Sequence, residues 1–582
     1  MSTERVHPIV LEAQEMLRKG EMSRRDFLRF ATLLGVSLAG ANVLAACAPQ
    51  AAPTTAPTAA ATVAAATAAP TAAATAAATA TSAPQPTATS VAAAIVRGGS
   101  ITLRSRVDRV DDPARFSLVS QSHPWRHVFD YLTSVDAKGI AHPYLLDSWT
   151  ASDDLKTWTL KLRQGIKFSD GKDLTADDVI FNFTRWLTKS TGSSLMGQMS
   201  YLTPTSLEKT DNYTITCHLT KPTITFPYDM AGYPAAIVPS TFNGDITRQP
   251  IGTGAFTMKE FVVGEHCRLA RRDGYWRMGA DGKALPYLDE IVMVQIGDDP
   301  SAWLSALQSG QVEMIAEPPV TVWEGVKDNS KFTIVSIPTS ATRVLRVRAD
   351  QKPWTDNNVR QALKLCQNRD KILALALRGQ GVIGNDSHVA PIQPEYMDIA
   401  PVAFDTQKAK ALLAQAGYPT GLTVELTVAT DWPESMAYAQ ALKEDAAAAG
   451  FTINLKTMPA TQYWDGWTDF NMGITWWSHR PLAEMTLDVA YTADANGKPV
   501  AWNESHWVDT EFQTLLTQAD GTLDLTARRA IVGKIEQIMV DRGPICTPFF
   551  MNVWEIYTKN IHGVTPSPEE YVILHEAWKE KA

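Results

Sequence analysis

Cysteine is scarce: 582 residues hold five, Cys47, Cys217, Cys267, Cys366 and Cys546, scattered singly with no C-x-x-C spacing. That pattern shows no disulfide framework and excludes a zinc ribbon. Beyond the first 47 residues no apolar run is long enough to cross a bilayer. Positive charge is in deficit, with 53 basic against 62 acidic side chains and a formal net charge of -9. An acidic surface without a basic stripe repels phosphate backbones, so nucleic acid is not an expected partner. The signatures G-x-S-x-G, H-E-x-x-H, S-x-x-K with K-T-G, and the P-loop are all missing, which leaves no legible reaction centre and no nucleotide site. Gly252-Thr253-Gly254 lacks a third glycine and a strand-to-helix setting, so it reads as a tight turn. His123 and His127 have i,i+4 spacing, but Pro124 between them argues against a helix presenting both to a metal. Asp153-Asp154 and Asp177-Asp178 fall in a turn and in the first turn of a helix, where capping explains them. No enzyme activity and no cofactor or metal are expected.

What is present begins with an address. Residues 23–30, SRRDFLRF, precede the modest apolar run ATLLGVSLAGANVLAA, which ends at Cys47. The run is short for a membrane span and is flanked like a signal peptide, so residues 1–46 are set aside from the fold. Arg24 and Arg25 resemble the twin-arginine export signal. Leu44-Ala45-Ala46-Cys47 resembles a lipobox, in which the cysteine becomes the lipidated N-terminus. Residues 48–94 are almost entirely Ala, Thr and Pro, too poor in large apolar side chains to offset the cost of ordering. As a coil such a tether reaches about 40 Å. The expectation is an exported body, periplasmic or at the cell surface, held to the cytoplasmic membrane's outer face by its lipid alone.

From Arg97 the composition is that of a folded protein, and the whole chain is 45% apolar and 20% charged. Its length is a prior for several domain-sized units. In 144–187, YLLDSWTASDDLKTWTLKLRQGIKFSDGKDLTADDVIFNFTRWL, Thr157 to Leu162 alternates as a strand. Thr175 caps a helix that sets Val179, Phe183 and Trp186 or Leu187 on one face. LTVELTVAT at 422–430, a helix from Pro433 to before Gly450, and FTINLKT at 451–457 form a βαβ unit. Such a unit implies parallel neighbouring strands and α/β architecture.

The 144–187 stretch closely resembles the signature of the family 5 extracellular solute-binding proteins of ABC importers. Further matches follow in that family's order: PIGTGAFTMKEFVVGEHCRLARRDGYW at 250–276, LPYLDEIVMVQIGDDPSAWLSALQSGQVEMI at 285–315, WTDNNVRQALKLCQNRDKI at 354–372 and FDTQKAKALLAQAGYP at 404–419. Lys156 and Ser169 depart from its usual Gly and His. The resemblance implies a two-lobed periplasmic-binding-protein-like fold of the class II type with a third domain. Lobe I would comprise 97–142, 241–345 and 549–582, the extra domain 143–240, and lobe II 346–548. It also implies a monomer that captures a small solute or peptide between its lobes and passes it to an ABC permease. The rival class is a surface-tethered hydrolase. Nickel- or haem-binding variants are known among relatives, but they need histidine placements not found here.

Peptide-binding relatives carry G-W-x-x-D near the end of lobe II, and the aspartate pairs with the ligand's α-amino group. Here TWWSHRPLAE, at 475–484, sets Trp476 at the tryptophan position, His479 at the aspartate position and Arg480 after it. An acid is thereby replaced by a potentially cationic pair, which repels an ammonium and favours an anionic or strongly hydrogen-bonding group. Six of the 17 tryptophans fall in 464–507. Trp464 and Trp467 read as core, whereas Trp476, Trp477 and Trp502 read as ligand-stacking surfaces, with Asn503 and Glu504 adding polar orientation. From lobe I, Trp125 in SQSHPWRH and, less directly, Tyr233 complete the expected ligand-binding set. Two substrates remain open: a peptide, or an acidic or sugar-containing compound.

Overall fold

The structure is a computed structural model, and it describes residues 95–581. The signal segment, Cys47 and the Ala/Thr/Pro tether lie outside them. Local chemistry accounts for the elements. Trp158, Leu160 and Leu162 alternate inward along the strand Thr157–Leu162. The helix Ala176–Trp186 begins in a capping box, where the Thr175 N–H donates to Asp178 Oδ2 at 2.9 Å, and it buries Val179, Phe183 and Trp186.

Three sheets organise these residues. One is eight-stranded and runs in the order Phe332–Pro338, Phe549–Thr558, Met314–Ile315, Ser100–Arg104, Glu290–Val294, His266–Arg271 and Phe256–Val262, with Gly381–Ile383 paired on the second of these. A four-stranded antiparallel sheet comprises Leu146–Ala151, Thr157–Leu162, Thr214–His218 and Leu207–Asp211. The third runs in the order Phe451–Met458, Leu422–Ala429, Met472–Trp477, Thr342–Val347 and Ile545–Cys546. In it, Leu422–Ala429 and Phe451–Met458 are parallel from Leu422↔Phe451 to Ala429↔Met458, with the helix Pro433–Ala447 between them, as the βαβ reading expects.

The chain passes from the eight-stranded to the five-stranded sheet between Pro338 and Thr342, touches the former again at Gly381–Ile383, and returns to it between Cys546 and Phe549. Thr342–Val347, at the end of the segment expected for lobe I, thus pairs wholly within the five-stranded sheet. The glycines at 252 and 254 mark a close backbone approach, with Gly254 N–H donating to Val128 O at 2.9 Å. Cys217, Cys267, Cys366 and Cys546 are free and buried.

Candidate functional site

Leu422–Ala429 is parallel to both Phe451–Met458 and Met472–Trp477, so the carboxyl ends of all three lie at one edge of the five-stranded sheet. In open α/β sheets ligands bind outside this edge. Here it gathers indoles. Trp432 follows the first strand, Trp464 lies on the helix Ala460–Gly466 after the second, and Trp476 and Trp477 end the third. Ring centres link Trp476 to Trp432 at 6.5 Å, Trp432 to Trp464 at 5.4 Å and Trp464 to Trp467 at 5.4 Å. Trp467 reaches Trp477 and Trp502, edge to face in both cases.

Thr342–Val347 runs antiparallel to Met472–Trp477 and places Arg343 opposite Trp476. Arg343 is only 4% exposed. Its guanidinium lies 4.9 Å from the Trp476 ring centre and 5.9 Å from that of Trp432. Nη2 is paired with Glu434, whereas Nε and Nη1 are buried with no partner. From the C-terminal segment, Glu570 feels the charge of Arg343. Burial and the neighbouring Glu317 nevertheless push its carboxyl up to about 8. Burial raises Glu317 to about 7, against the pull of Arg104 and Arg106. Both acids hold a left-handed backbone, at φ 61 and φ 52, a conformation that persists only where surrounding structure enforces it. His123 braces one of them: its Nδ1 lies 3.1 Å from Ser105 Oγ and its Nε2 3.1 Å from the Glu570 carbonyl. Burial drops the His123 pKa to about 3, so the ring is neutral.

Several expected site residues stand elsewhere. Trp125 is packed in the core against Phe129 and Phe261, and offers no face to a ligand. Asn503 is consumed by its own loop, donating from Nδ2 to the carbonyls of Thr492 and Trp507. Glu504 is an internal ion-pair partner, 3.0 Å from Arg346 Nε, and it accepts from Thr475 Oγ1 at 2.5 Å and Trp477 Nε1 at 2.9 Å. Trp477 is buried by that bond, while Trp476 and Trp502 keep exposed faces. Trp464, read as core, is also exposed. Tyr233 is half-buried, its hydroxyl 3.3 Å from the Ser117 carbonyl.

The cationic pair expected at 479–480 is not one. His479 Nδ1 accepts from Ser340 N–H at 3.0 Å, which places the proton on Nε2, and burial lowers its pKa to about 3. Arg480 is held by its backbone, its N–H donating to Ser340 Oγ at 2.9 Å and its carbonyl accepting from Gln393 at 2.8 Å. Its charge acts on Asp229. Arg343, Trp432, Glu434, Glu317 and Glu570 were not anticipated. The sequence signal for the first is charge inside an apolar run: TRVLRV carries two arginines, and the structure buries all six positions.

Two concavities lie away from these tryptophans. One, of about 950 Å³, runs along Lys161–Ile166 and Trp276–Met278. The other, of about 530 Å³, is walled by groups including Asp130, Tyr144, Arg277 and His575. Arg277 there is paired with Glu576 at 2.7 Å and Asp136 with His142 at 2.9 Å. No cluster of metal-ligating side chains occurs among the described residues.

The class of protein comes from its relatives. The model of the bacterial extracellular solute-binding proteins, family 5, matches residues 141–497, and the chain belongs to that family. It is 26% identical over 462 residues to the dipeptide-binding protein of Escherichia coli, covering 73% of this chain and 84% of that one. Among solved structures it resembles AgaA from A. tumefaciens in complex with agropinic acid, with TM-score 0.70, 21% identity, and 83% of this chain and 99% of that one covered. The oligopeptide-binding protein AppA from Bacillus subtilis, solved with a nonapeptide, matches at TM-score 0.68 and 21% identity, with 84% and 100% covered. These structures share the two-lobed periplasmic-binding fold. The family is one of binding proteins rather than enzymes.

Proposed function

We propose that this protein is the substrate-binding lipoprotein of an ABC importer, exported through its twin-arginine segment and tethered by Cys47. It captures a peptide or a peptide-like, acidic or sugar-containing solute and presents it to the permease. The relatives' names support solute capture, and the dipeptide- and oligopeptide-binding ones support a peptide. The observation that carries the location is the edge itself: aromatic faces and a buried arginine on one sheet, two enforced carboxyls on the C-terminal segment and the Met314–Ile315 strand's exit.

The segments at 339–341 and 547–548 are the proposed hinge. Ligand favours closure only through its greater affinity for the closed form. Native mass spectrometry of protein purified from its own host should show a retained small molecule, and adding that molecule back to stripped protein should raise Tm without its being consumed. Trp476→Ala should weaken this binding by about 1–2 kcal/mol. Turnover of the molecule would instead restore the hydrolase reading.

A further inference from the structure

The proposed capture leaves open what chemistry the solute presents, and Arg343 speaks to it. Natural proteins rarely leave buried donors unpaired, and an orphaned one costs about 1–3 kcal/mol. Arg343 leaves two, Nε and Nη1, while Glu434 occupies only Nη2. Removing a buried guanidinium from water is expensive unless its hydrogen bonds are completed. A strand that needed only packing would carry an aliphatic residue there, as Val344 and Leu345 do next to it. Trp476, 38% exposed, covers the guanidinium and gives a ligand's body an aromatic face to lie on. Glu570, whose carboxyl also feels the charge of Arg343, is held protonated near neutral pH by burial and by Glu317, so it adds no second negative charge to that of Glu434.

Resting on the capture reading above, we infer that Arg343, flanked by Trp476 and Trp432, is the anchor for a carboxylate carried by the solute. The guanidinium's remaining N–H groups complete their bonds on the carboxylate oxygens, and the solute's flat or apolar body stacks on Trp476. The carboxylate is the shared chemistry of two sources, a peptide C-terminus and a sugar or opine-like acid. The cation that the strand-end pattern suggested at 480 is thus supplied by the neighbouring strand.

The test uses matched pairs: alanylphenylalanine against its C-terminal amide, and glucuronate against glucose. Each is titrated calorimetrically into the full protein, and any solute retained from the native host is identified by mass spectrometry. An acid should bind at least tenfold more tightly than its neutral counterpart. Arg343→Gln should erase that preference, with a loss of about 10–100-fold, the span of one to two charge-assisted bonds. Arg343→Lys should restore part of the preference, showing that the loss is not misfolding. Which pair responds separates peptide from sugar acid. Equal binding of acid and neutral forms, a retained solute lacking a carboxylate, or an unchanged preference in Arg343→Gln would overturn the inference and leave solute capture standing. No retained solute together with no binding of any probe would overturn both.

Discussion

At the residue scale, charge inside this protein follows its partners rather than its neighbours in sequence. Asn503 and Glu504 sit beside tryptophans in the chain and suggested ligand-orienting groups, yet both face inward. Glu504 neutralises Arg346, which is fully buried and also donates to the carbonyls of Trp467 and Phe470. Glu504→Ala should therefore cost about 3–5 kcal/mol of stability in urea denaturation, because it strands a buried cation. An exposed acid would give almost nothing. Arg480→Ala and Arg343→Gln form a second contrast. The Arg480 backbone carries its contacts to Ser340 and Gln393, and its side chain acts on Asp229. Its truncation should leave ligand affinity within about twofold, well under 1.4 kcal/mol, whereas loss of Arg343 should not. Calorimetric titration of the retained solute into both variants decides this.

At the scale of elements, much was legible because the signals are local. The capping box at Thr175 and Asp178, the alternation of Thr157–Leu162 and the βαβ unit of 422–458 each lie within one short stretch, and the structure forms them as read. Trp476 was singled out from a strand-end pattern, and the structure sets it at the end of Met472–Trp477 with an exposed face. Arg343 was not, because its role arises from antiparallel pairing with a strand more than a hundred residues later, and register between distant strands is not written in either one. The same limit applies to Gly254. Its glycine reads as a turn, but its requirement is set by another segment: an added Cβ would come within 2.5 Å of His127 O and 2.6 Å of the Val128 carbonyl carbon. Backbone cannot yield as a side-chain tip does. Gly254→Ala should lose about 3 kcal/mol, an upper overpacking cost, visible as a lowered urea midpoint at unchanged m-value.

For the whole molecule, burial of titratable groups predicts how stability follows pH. Burial raises Glu570 and Glu555 to about 8, and Glu317, Glu536 and Asp229 to about 7. Each binds its proton more tightly folded than unfolded, so each destabilises the fold as pH rises from its unfolded value near 4 through its folded one. Burial also lowers His123, His388 and His479 to about 3 and His127 to about 4. These rings bind protons more readily when unfolded, so their contribution is lost as pH falls below the ordinary histidine value of about 6.5. Above about 6.5 only the acids titrate differentially, and stability must climb as pH is lowered from 8. Below it the four histidines oppose the five acids in part, and the climb should slow. Scanning calorimetry should therefore show Tm rising from pH 8 to about 6.5 and then rising less steeply toward pH 5. A Tm that falls on going from pH 8 to 6.5 would mean these carboxyls are ionised in the folded protein. A second carboxylate would then act on Arg343 beside that of Glu434, and a solute's carboxylate would be repelled there rather than held.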